Sequence, residues 1–481
     1  MSGSRGATLA VLNTVSLMIV LDSTIVAVAI PAIQQDLGFS PAGVAWVING
    51  YLVAFGGLLL LAGRLGDLIG SRRVFLAGLA LFTVASLLCG FAPTAELLIA
   101  GRFLQGAGGA FASAVILGMI VRLYPAPGPQ ARAMGIFSFT QAGGAAIGFV
   151  VGGILTDLAG WPAIFLINVP IGIAAFIFGL RLLPASAAAA GGGLDIPGAL
   201  LITAGLSAGV YAIVDGVIPV GALALLLLTA FLVRQKYASS PLIPLRLLRR
   251  PWLLAANSAV LLIVAAGLGF QFVNTLFLQK VLGFDALRTG LAFLPTPLMI
   301  GVVSLLVAAR LTSRFGVRPV LLGGLVLVAG GLVALSQAPS SPVYAWHVLP
   351  ALVVMGLGIG VAVPAVMMLS MAGSSEEDTG LVSGLNNTAQ QAGMALGLAV
   401  LAAVSAARTS SQLGAGVSAG AALREGYSLA FLLAAGFVAA AFAVTVTALR
   451  NPPAPPAAVP VPAPPAAVPV PDPGPSGLAA P

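Results

Sequence analysis

Long apolar segments with almost no charged side chains follow one another along nearly the whole chain. Charged residues make up 7% of the sequence and hydrophobic residues 59%, whereas a soluble domain carries about 25% charged residues. About 20 consecutive apolar residues suffice for one membrane-crossing helix. The segments are continuous rather than alternating, so their backbone groups are best satisfied within helices, which excludes a transmembrane barrel. We therefore predict an all-α polytopic membrane protein.

The apolar segments predict fourteen membrane spans with both termini in the cytoplasm. Most Lys and Arg residues fall in joints on the side of the amino terminus, and this asymmetry indicates which side is cytoplasmic. On the other side fall only Lys280, Arg288, Arg408 and Arg424. The predicted spans lie near residues 8–30, 43–63, 74–92, 96–122, 131–156, 162–183, 194–214, 217–235, 252–279, 289–311, 317–337, 344–371, 379–405 and 426–449.

An internal repeat supports this count. The string GRLGDLIGSRRV, from Gly63 to Val74, resembles ARLTSRFGVRPV, from Ala309 to Val320. Six spans with short loops need roughly 180 to 200 residues, which is fewer than separate the two strings, and the surplus fits one extra helical hairpin. The matched pairs are Arg64 and Arg310, Leu65 and Leu311, Gly70 and Gly316, Arg72 and Arg318, and Val74 and Val320.

The repeat predicts a division of the chain into four parts. We expect a six-helix bundle at 1–183, an inserted two-helix hairpin with a cytoplasmic linker at 184–250, a second six-helix bundle at 251–450 and a disordered tail at 451–481. The tail is rich in Pro and Ala and repeats APPAAVPVP without change. Such a composition favours an extended spacer, which is either dispensable or a proline-rich ligand for a partner. Parallel repeats place a binding site near the bilayer midplane between the halves.

The string from Gly63 to Arg73 joins the second and third predicted helices. Its glycines allow a tight reversal, Asp67 can cap a helix start, and arginines can bind helix carboxyl ends. This string resembles the signature loop of the major facilitator superfamily, where the loop latches the outward-facing state. The resemblance implies a role as conformational latch for Gly63, Asp67, Gly70, Arg72 and Arg73.

Further strings are similar to motifs of the fourteen-span drug:proton antiporter branch of that superfamily. The resemblance implies the major facilitator fold, with two six-helix bundles and a hairpin between them. It also implies multidrug or antibiotic efflux by alternating access, driven by the proton motive force. The strings are LDSTIVAVAIPAI (21–33), RFLQGAGGA (102–110), GGAAIGFVVGG (143–153), WPAIFLINVPIG (161–172) and GLVSGLNNTAQQAGMALG (380–397).

A glycine stripe marks the antiporter motif of the fifth span. Gly144, Gly148 and Gly152 fall on one helix face beside Gly153, which allows close contact between helices. Phe149 stands where the motif usually carries a proline. Proton-coupled import of a small metabolite therefore remains an alternative to antiport.

Two ionisable residues inside spans are the candidates for proton coupling. Such a residue costs about 2.5 to 3.5 kcal/mol on insertion scales and is functional by default. Asp22 and Arg102 both fall about 10 to 12 Å below the outer membrane surface, so they can pair. An arginine that moves would make Asp22 a switchable proton carrier, and the family resemblance supports that role. The alternative is a static pair that fixes helix packing.

Polar side chains within other spans are candidates for a substrate cavity. Each one alone is as well explained by packing through interhelical hydrogen bonds. Because Asp22 is the only carboxylate predicted deep in a span, we expect substrates that are neutral, zwitterionic or singly cationic amphiphiles. The candidate cavity residues are Gln141, Asn168, Asn274, Asn387 and Gln391.

Other classes of function lack the residues that they need. The sequence contains no GxxxxGK[ST] phosphate loop and no HExxH string, and its one histidine, His347, argues against an enzyme. We expect no cofactor, no metal and no nucleic acid as partner. The expected partners are protons, a small amphipathic substrate and the lipid bilayer, for a monomer in a bacterial inner membrane. A membrane protein that does not transport is the remote alternative.

Overall fold

The computed structural model describes residues 2–125, 127–184, 195–238, 241–242, 250–339, 341–371 and 379–449, and every regular element within these ranges is helical. The predicted tail at 451–481 lies outside the described residues. The helices are α1 (Ser2–Asp36), α2 (Trp46–Ile69), α3 (Ser71–Gly90), α4 (Ala95–Leu123), α5 (Pro127–Ala159), α6 (Ala163–Leu166), α7 (Asn168–Leu182), α8 (Ile196–Asp215), α9 (Ile218–Tyr237), α10 (Pro251–Lys280), α11 (Ala286–Phe293), α12 (Pro295–Leu306), α13 (Ala308–Phe315), α14 (Val317–Ser336), α15 (Leu349–Met371), α16 (Thr379–Gly414) and α17 (Ala419–Ala448).

The prediction of a polytopic helical membrane protein is confirmed. Thirteen helical segments of the described chain are long and apolar enough to cross a membrane. The predicted span at 131–156 lies within α5, a helix of 33 residues, whose part from Ala146 to Ala159 is also apolar. A total of fourteen spans stays a prediction.

Prolines interrupt two of the predicted spans. The span at 162–183 is divided into α6 and α7, and Pro170 cannot donate a backbone hydrogen bond to Leu166 at this break. The span at 289–311 is divided into α11, α12 and α13. Pro295 begins α12, and Pro297 likewise removes a backbone donor.

The helices pack as two groups that are joined by a hairpin. Helices α1 to α7 pack against one another, as do α10 to α17, and the two groups are called the first half and the second half below. Successive spans run in opposite directions. The loops at Gly70 and Gly316 therefore lie at one end of the bundle, called here the motif end, together with the start of α1.

Helices α8 and α9 form the inserted hairpin, which lies beside a line of contact between the halves. Along this line α2 packs against α16, and α8 packs against both helices. Close approach depends on small residues of α2. A Cβ atom on Gly57 would lie 2.9 Å from Cβ of Thr203 on α8, and one on Gly56 would lie 3.3 Å from Cγ of Gln391 on α16. Side chains larger than hydrogen would therefore separate these helices.

Candidate functional site

Asp22 of α1 and Arg102 of α4 form an ion pair in the interior of the first half. The distance from Arg102 Nη1 to Asp22 Oδ2 is 2.6 Å, and both side chains are fully buried. Arg102 Nε also donates to the carbonyl of Val47 on α2, at 2.7 Å. The guanidinium carbon lies 4.6 Å from the ring centroid of Tyr51, within the range of a cation–π contact. The arginine of α4 is therefore held by contacts with two neighbouring helices, α1 and α2.

Gln105, one helical turn after Arg102, connects the ion pair to α3. Its Oε1 accepts from Arg102 Nη1 at 2.6 Å, while its Nε2 donates to Asp22 Oδ1 and to Ser86 Oγ, each at 2.8 Å. Both Gln105 and Ser86 are fully buried. The amide of Gln105 thus touches both charged partners at once.

Asn168, predicted to line the substrate cavity, instead belongs to this buried network. It is the first residue of α7, is 1% exposed, and donates from Nδ2 to Asp22 Oδ1 at 2.9 Å. The break in the helix between α6 and α7 places it there. We name Asp22, Ser86, Arg102, Gln105 and Asn168 the Asp22 cluster.

The Asp22 cluster provides one charged and two neutral hydrogen-bond donors for an ionised carboxylate. Burying a charge is costly unless it is paired and hydrogen-bonded, and Asp22 accepts from Arg102, Gln105 and Asn168. An ionised carboxylate only accepts hydrogen bonds. A proton added to Asp22 would therefore remove the charge opposite Arg102 and would displace at least one donor. The cluster can couple the protonation of one side chain to the contacts among helices α1, α3, α4 and α7.

The two halves are in contact at the end opposite the motif end. The rings of Phe149 on α5 and Phe293 on α11 stack with centroids 4.8 Å apart and an interplanar angle of 10°. Near them, Asp157 Oδ2 accepts from the backbone N–H of Leu287 at 2.8 Å. The residue that replaces the motif proline therefore lies in a contact between the halves.

A second contact at the same end joins α1 to α10. Gln279 Nε2 donates to the carbonyl of Val28 at 3.0 Å, and Lys280 Nζ donates to Gln34 Oε1 at 2.6 Å. Both bonds join the opposite-end portions of these helices. Together with the stacked rings, they close this end of the bundle between the described parts of α1, α5, α10 and α11.

A cavity of about 840 Å³ lies near the motif end, between the first turns of α1 and α5. The described residues that line it include apolar Leu9, Leu17 and Ile136, and polar Asn13, Tyr124 and Arg132.

None of the residues predicted for a substrate cavity is among the described residues that line this one. Gln141 accepts a hydrogen bond from Ser16 of α1 at 2.8 Å. Gln391 packs against α2, and Asn387 is exposed on α16. Asn274 is fully buried, and its two amide atoms have no hydrogen-bond partner among the described residues. These four side chains therefore lie on α5, α10 and α16 and are not among the described residues that line the cavity.

The predicted latch residues lie at the junction of α2 and α3. The reversal is made by Gly70 alone, at φ +98°, whereas Gly63 lies within α2. Asp67 also lies in α2, so it does not cap a helix start. Its side chain and that of Arg73 are exposed, and Asp67 has no hydrogen bond or ion pair in the described part of the chain. Arg72 donates to a carbonyl of α7 in its own half.

The glycine stripe of α5 lies against α1. A Cβ on Gly144 would lie 2.8 Å from Leu17 Cδ1, and one on Gly152 would lie 2.9 Å from Ile25 Cα. Gly148 likewise approaches Thr24. Gly153 faces the other half instead, where a Cβ would lie 2.6 Å from Cα of Leu287 on α11. The four predicted glycines thus allow close packing on two sides of α5.

Comparison with known proteins shows which family shares this arrangement. Residues 12–398 match the sequence model of the Major Facilitator Superfamily. The chain belongs to this superfamily. It is similar to puromycin resistance protein pur8 of Streptomyces alboniger, with 37% identity over 81% of this chain and 79% of the relative. It is also similar to cephamycin export protein CmcT of Amycolatopsis lactamdurans, with 36% identity over 80% and 82% of the two chains.

Solved structures of the Major Facilitator Superfamily share the fold at low sequence identity. A bacterial homolog of the human lysosomal transporter Spinster, in an inward-facing and occupied conformation, matches with a TM-score of 0.67 and 16% identity, over 93% of this chain and 97% of that one. The POT family transporter PepTSo matches with a TM-score of 0.67 and 14% identity, over 93% and 99%. As a member of this superfamily, the protein is a membrane transporter and not an enzyme.

The sequence contains a signal for Gln105, a residue of the Asp22 cluster that is not among the predicted site residues. Gln105 lies three residues after Arg102 and therefore on the same helix face. A buried polar residue at that spacing from a buried charge is a natural hydrogen-bond partner. Ser86 carried no comparable signal, because its hydroxyl can also bond the carbonyl of Phe82 within α3, as it does at 2.8 Å.

Proposed function

We propose that this transporter exports amphipathic drugs or antibiotics in exchange for protons. The relatives named above are a resistance protein and an export protein, which supports export of antibiotics as the direction and class of transport. The buried pair of Asp22 and Arg102 carries the proposal of proton coupling, since it is a titratable group inside the membrane with a counter-charge that can release it.

In this proposal Asp22 carries the proton and Arg102 responds to it. While Asp22 is ionised, Arg102, Gln105 and Asn168 hold α1, α4 and α7 together. Protonation removes the attraction between Asp22 and Arg102, so these helices gain freedom to shift against one another. Substrate exchange then follows the rearrangement of the two halves.

The conformation supports loading from the motif end. The halves touch at the opposite end through Phe149 and Phe293, whereas the cavity lies near the motif end. We take the motif end as cytoplasmic because most Lys and Arg residues lie there. Asp67, without a partner in the described residues, is then a latch that is open in this state and that engages when the transporter faces outward.

Transport by the full-length protein in liposomes tests the proposal. A fluorescent amphiphile should move against its gradient when a pH gradient is imposed, and protons should move in the opposite direction. Collapse of the gradient with a protonophore should stop this movement. If substrate and protons moved in the same direction, the alternative of proton-coupled import would replace antiport. Gradient-independent movement would contradict coupling altogether.

We also propose the topology and organisation predicted from the sequence. Both termini lie in the cytoplasm of a bacterial inner membrane, the division falls at 1–183, 184–250, 251–450 and 451–481, and the protein acts as a monomer. Single cysteines at Gly193 and Gly216 test the orientation of the hairpin, since they should react with impermeant thiol reagents from opposite sides. Labelling of both from one side would contradict fourteen spans.

A further inference from the structure

The cavity at the motif end has the size and surface of a site for a small amphipathic molecule. Its volume of about 840 Å³ falls within the roughly 300 to 1,000 Å³ of typical ligand pockets. Leu9, Leu17 and Ile136 form an apolar wall of the cavity, and Asn13 and Arg132 contribute polar groups to its lining. Such a cavity suits a molecule with an apolar body and one polar group.

Arg132 supplies a charge that the protein leaves uncompensated. Its side chain is exposed and lines the cavity, and it makes no hydrogen bond or ion pair within the described part of the chain. No acidic residue is among the described residues of the lining. An arginine is always charged, and its planar fork matches the two oxygens of a carboxylate.

Asn13 supplies a second, independent indication. Its side chain is 8% exposed, its Nδ2 donates to the carbonyl of Leu9 at 3.0 Å, and its Oδ1 has no partner in the described structure. Buried polar atoms in proteins are nearly always hydrogen-bonded, so an exception in a cavity wall points to a missing partner. Because an amide oxygen only accepts hydrogen bonds, the missing partner is a donor, and a hydroxyl or ammonium group of a bound molecule would supply it.

The acidic residue nearest along α1 does not oppose an anion in this cavity. Asp22 is nine residues beyond Asn13, which is roughly 13 Å along a helix. It is fully buried, and its charge is compensated by Arg102. An anion in the cavity would therefore experience Arg132 more strongly than Asp22.

We infer that this cavity binds the anionic group of an amphiphile. A carboxylate or phosphate group lies against Arg132, a hydroxyl or ammonium group at the same end of the molecule donates to Asn13 Oδ1, and the apolar body lies along Leu9, Leu17 and Ile136. This inference rests on the proposed function, because it adds acids to the substrate class. The anionic group belongs either to a dissolved substrate or to a lipid headgroup.

Equilibrium binding of two pyrene probes to the full-length protein tests the inference. The protein is placed in phosphatidylcholine nanodiscs, and pyrenebutyrate is compared with its uncharged methyl ester. The unmodified protein should bind the acid more tightly than the ester. Arg132→Gln should weaken binding of the acid about 10-fold and change binding of the ester less than about 2-fold. Arg122→Gln is the matched control. Arg122 is also exposed at the motif end, in the last turn of α4, but it is not among the described lining residues.

A charge reversal keeps the test decisive. Arg132→Glu should bind pyrenebutylamine more tightly than pyrenebutyrate, and such an inverted preference requires a folded site. Equal binding of acid and ester by the unmodified protein would overturn the inference. So would a loss of acid binding that is the same in Arg122→Gln as in Arg132→Gln.

The lipid in the nanodisc distinguishes the two sources of the anion. If a headgroup occupies the site, replacing part of the phosphatidylcholine with phosphatidylglycerol should weaken binding of pyrenebutyrate to the unmodified protein and leave Arg132→Gln unchanged. If a dissolved substrate occupies it, this replacement should change neither. The binding measurements need no pH gradient. A failure of proton-driven transport in liposomes would therefore contradict the proposed function while leaving the anion preference measurable.

Discussion

Arg72 and Arg318 make the same contact in the two halves of the protein. Arg72 donates to the carbonyl of Leu180 in the last turn of α7. Arg318 donates from Nε to the carbonyl of Thr445 at 3.2 Å and from Nη2 to that of Val446 at 2.8 Å, near the end of α17. Each arginine thus binds the carboxyl end of the last helix of its own half, where a positive charge is favourable.

The loops that carry these arginines also share a backbone conformation. Gly70 and Gly316 precede them by two residues and have φ values of +98° and +85°, which residues with a side chain rarely adopt. The match between the two sequence strings therefore corresponds to a structural repeat. In each half, an equivalent arginine at the motif end binds the last helix of that half to the loop before the third span.

Replacing either arginine should weaken its own half. We expect Arg318→Gln to lower the free energy of unfolding by about 1 to 2 kcal/mol, since hydrogen bonds from charged donors are lost, and Arg72→Gln to have a similar or smaller effect. Thermal unfolding in detergent measures both. Arg73→Gln is the control, because Arg73 is exposed and has no such bond in the described chain. Equal destabilisation by Arg73→Gln would show that only loop charge matters.

Asp22→Asn should reduce gradient-driven efflux to background. The amide keeps the approximate shape of the carboxylate but cannot take up and release a proton. Binding of a neutral fluorescent amphiphile should remain within about 2-fold, because Asp22 is not exposed to the cavity. Efflux and equilibrium binding are compared in the same preparation, with Asp215→Asn at an exposed position as control. Full efflux by Asp22→Asn would eliminate Asp22 as the proton carrier.

Arg102→Lys should also impair transport although it preserves the charge. Arg102 contacts Asp22, Gln105 and the carbonyl of Val47 through two nitrogen atoms, and a single ammonium cannot reproduce that planar geometry. Losing one charged hydrogen bond of about 1.5 kcal/mol corresponds to roughly a 10-fold change in a conformational equilibrium. We expect a fall of that order in the rate of proton-driven efflux. Arg122→Lys should have no effect, and an unimpaired Arg102→Lys would show that charge alone suffices.

The sequence was sufficient to locate the central pair of the candidate site but not its surroundings. Helix length and depth put Asp22 and Arg102 at the same level, because both are set by a fixed rise per residue. Which amides reach them depends on helix rotation and on the break before Asn168, which the apolar pattern does not encode. The cavity beside Arg132 depends on the separation of α1 and α5 near the motif end. The spacing of residues along each helix does not determine that separation.

Phe149→Ala should loosen the closure of the opposite end. A stacked aromatic pair contributes about 0.5 to 1.5 kcal/mol beyond its buried area, so its loss should raise the population of states open at that end by roughly 2- to 13-fold. A cysteine at Gln279 reports this population through its rate of labelling from outside. Phe103→Ala, at an exposed position of α4, is the control. Unchanged labelling in Phe149→Ala would exclude the stacked rings as a gate.

Asp195 should make the inserted hairpin sensitive to acid. Burial alone would raise the pKa of its carboxyl, but hydrogen bonds from Arg234, Gln235 and the backbone of Gly198, with the charge of Arg234, hold the pKa below its usual value of 3.8. The ionised form therefore stabilises the folded state above that pH, and this contribution is lost as the pH falls through the lowered pKa.

The pH dependence of unfolding tests this role of Asp195. Asp195→Asn retains a helix cap but not the charge, so it should be less stable than the unmodified protein near neutral pH. The difference in Tm should shrink as the pH falls from about 5 to about 3. Asp215→Asn, which removes a carboxylate at the other end of α8, is the control. A pH-independent deficit in Asp195→Asn would mean that Arg234 contributes nothing through charge.

The position of the hairpin makes the two sides of the transporter unequal within the plane of the membrane. Helix α8 lies beside the line where α2 meets α16. A molecule dissolved in the bilayer that approached this line would reach α8 before either half. On the line formed by α5 and α11 it would reach α5 itself, whose motif-end portion carries Arg132 and Ile136. The two lines of contact therefore differ for hydrophobic molecules, and one that dissolves in the leaflet at the motif end meets a helix that lines the cavity only along the α5 line.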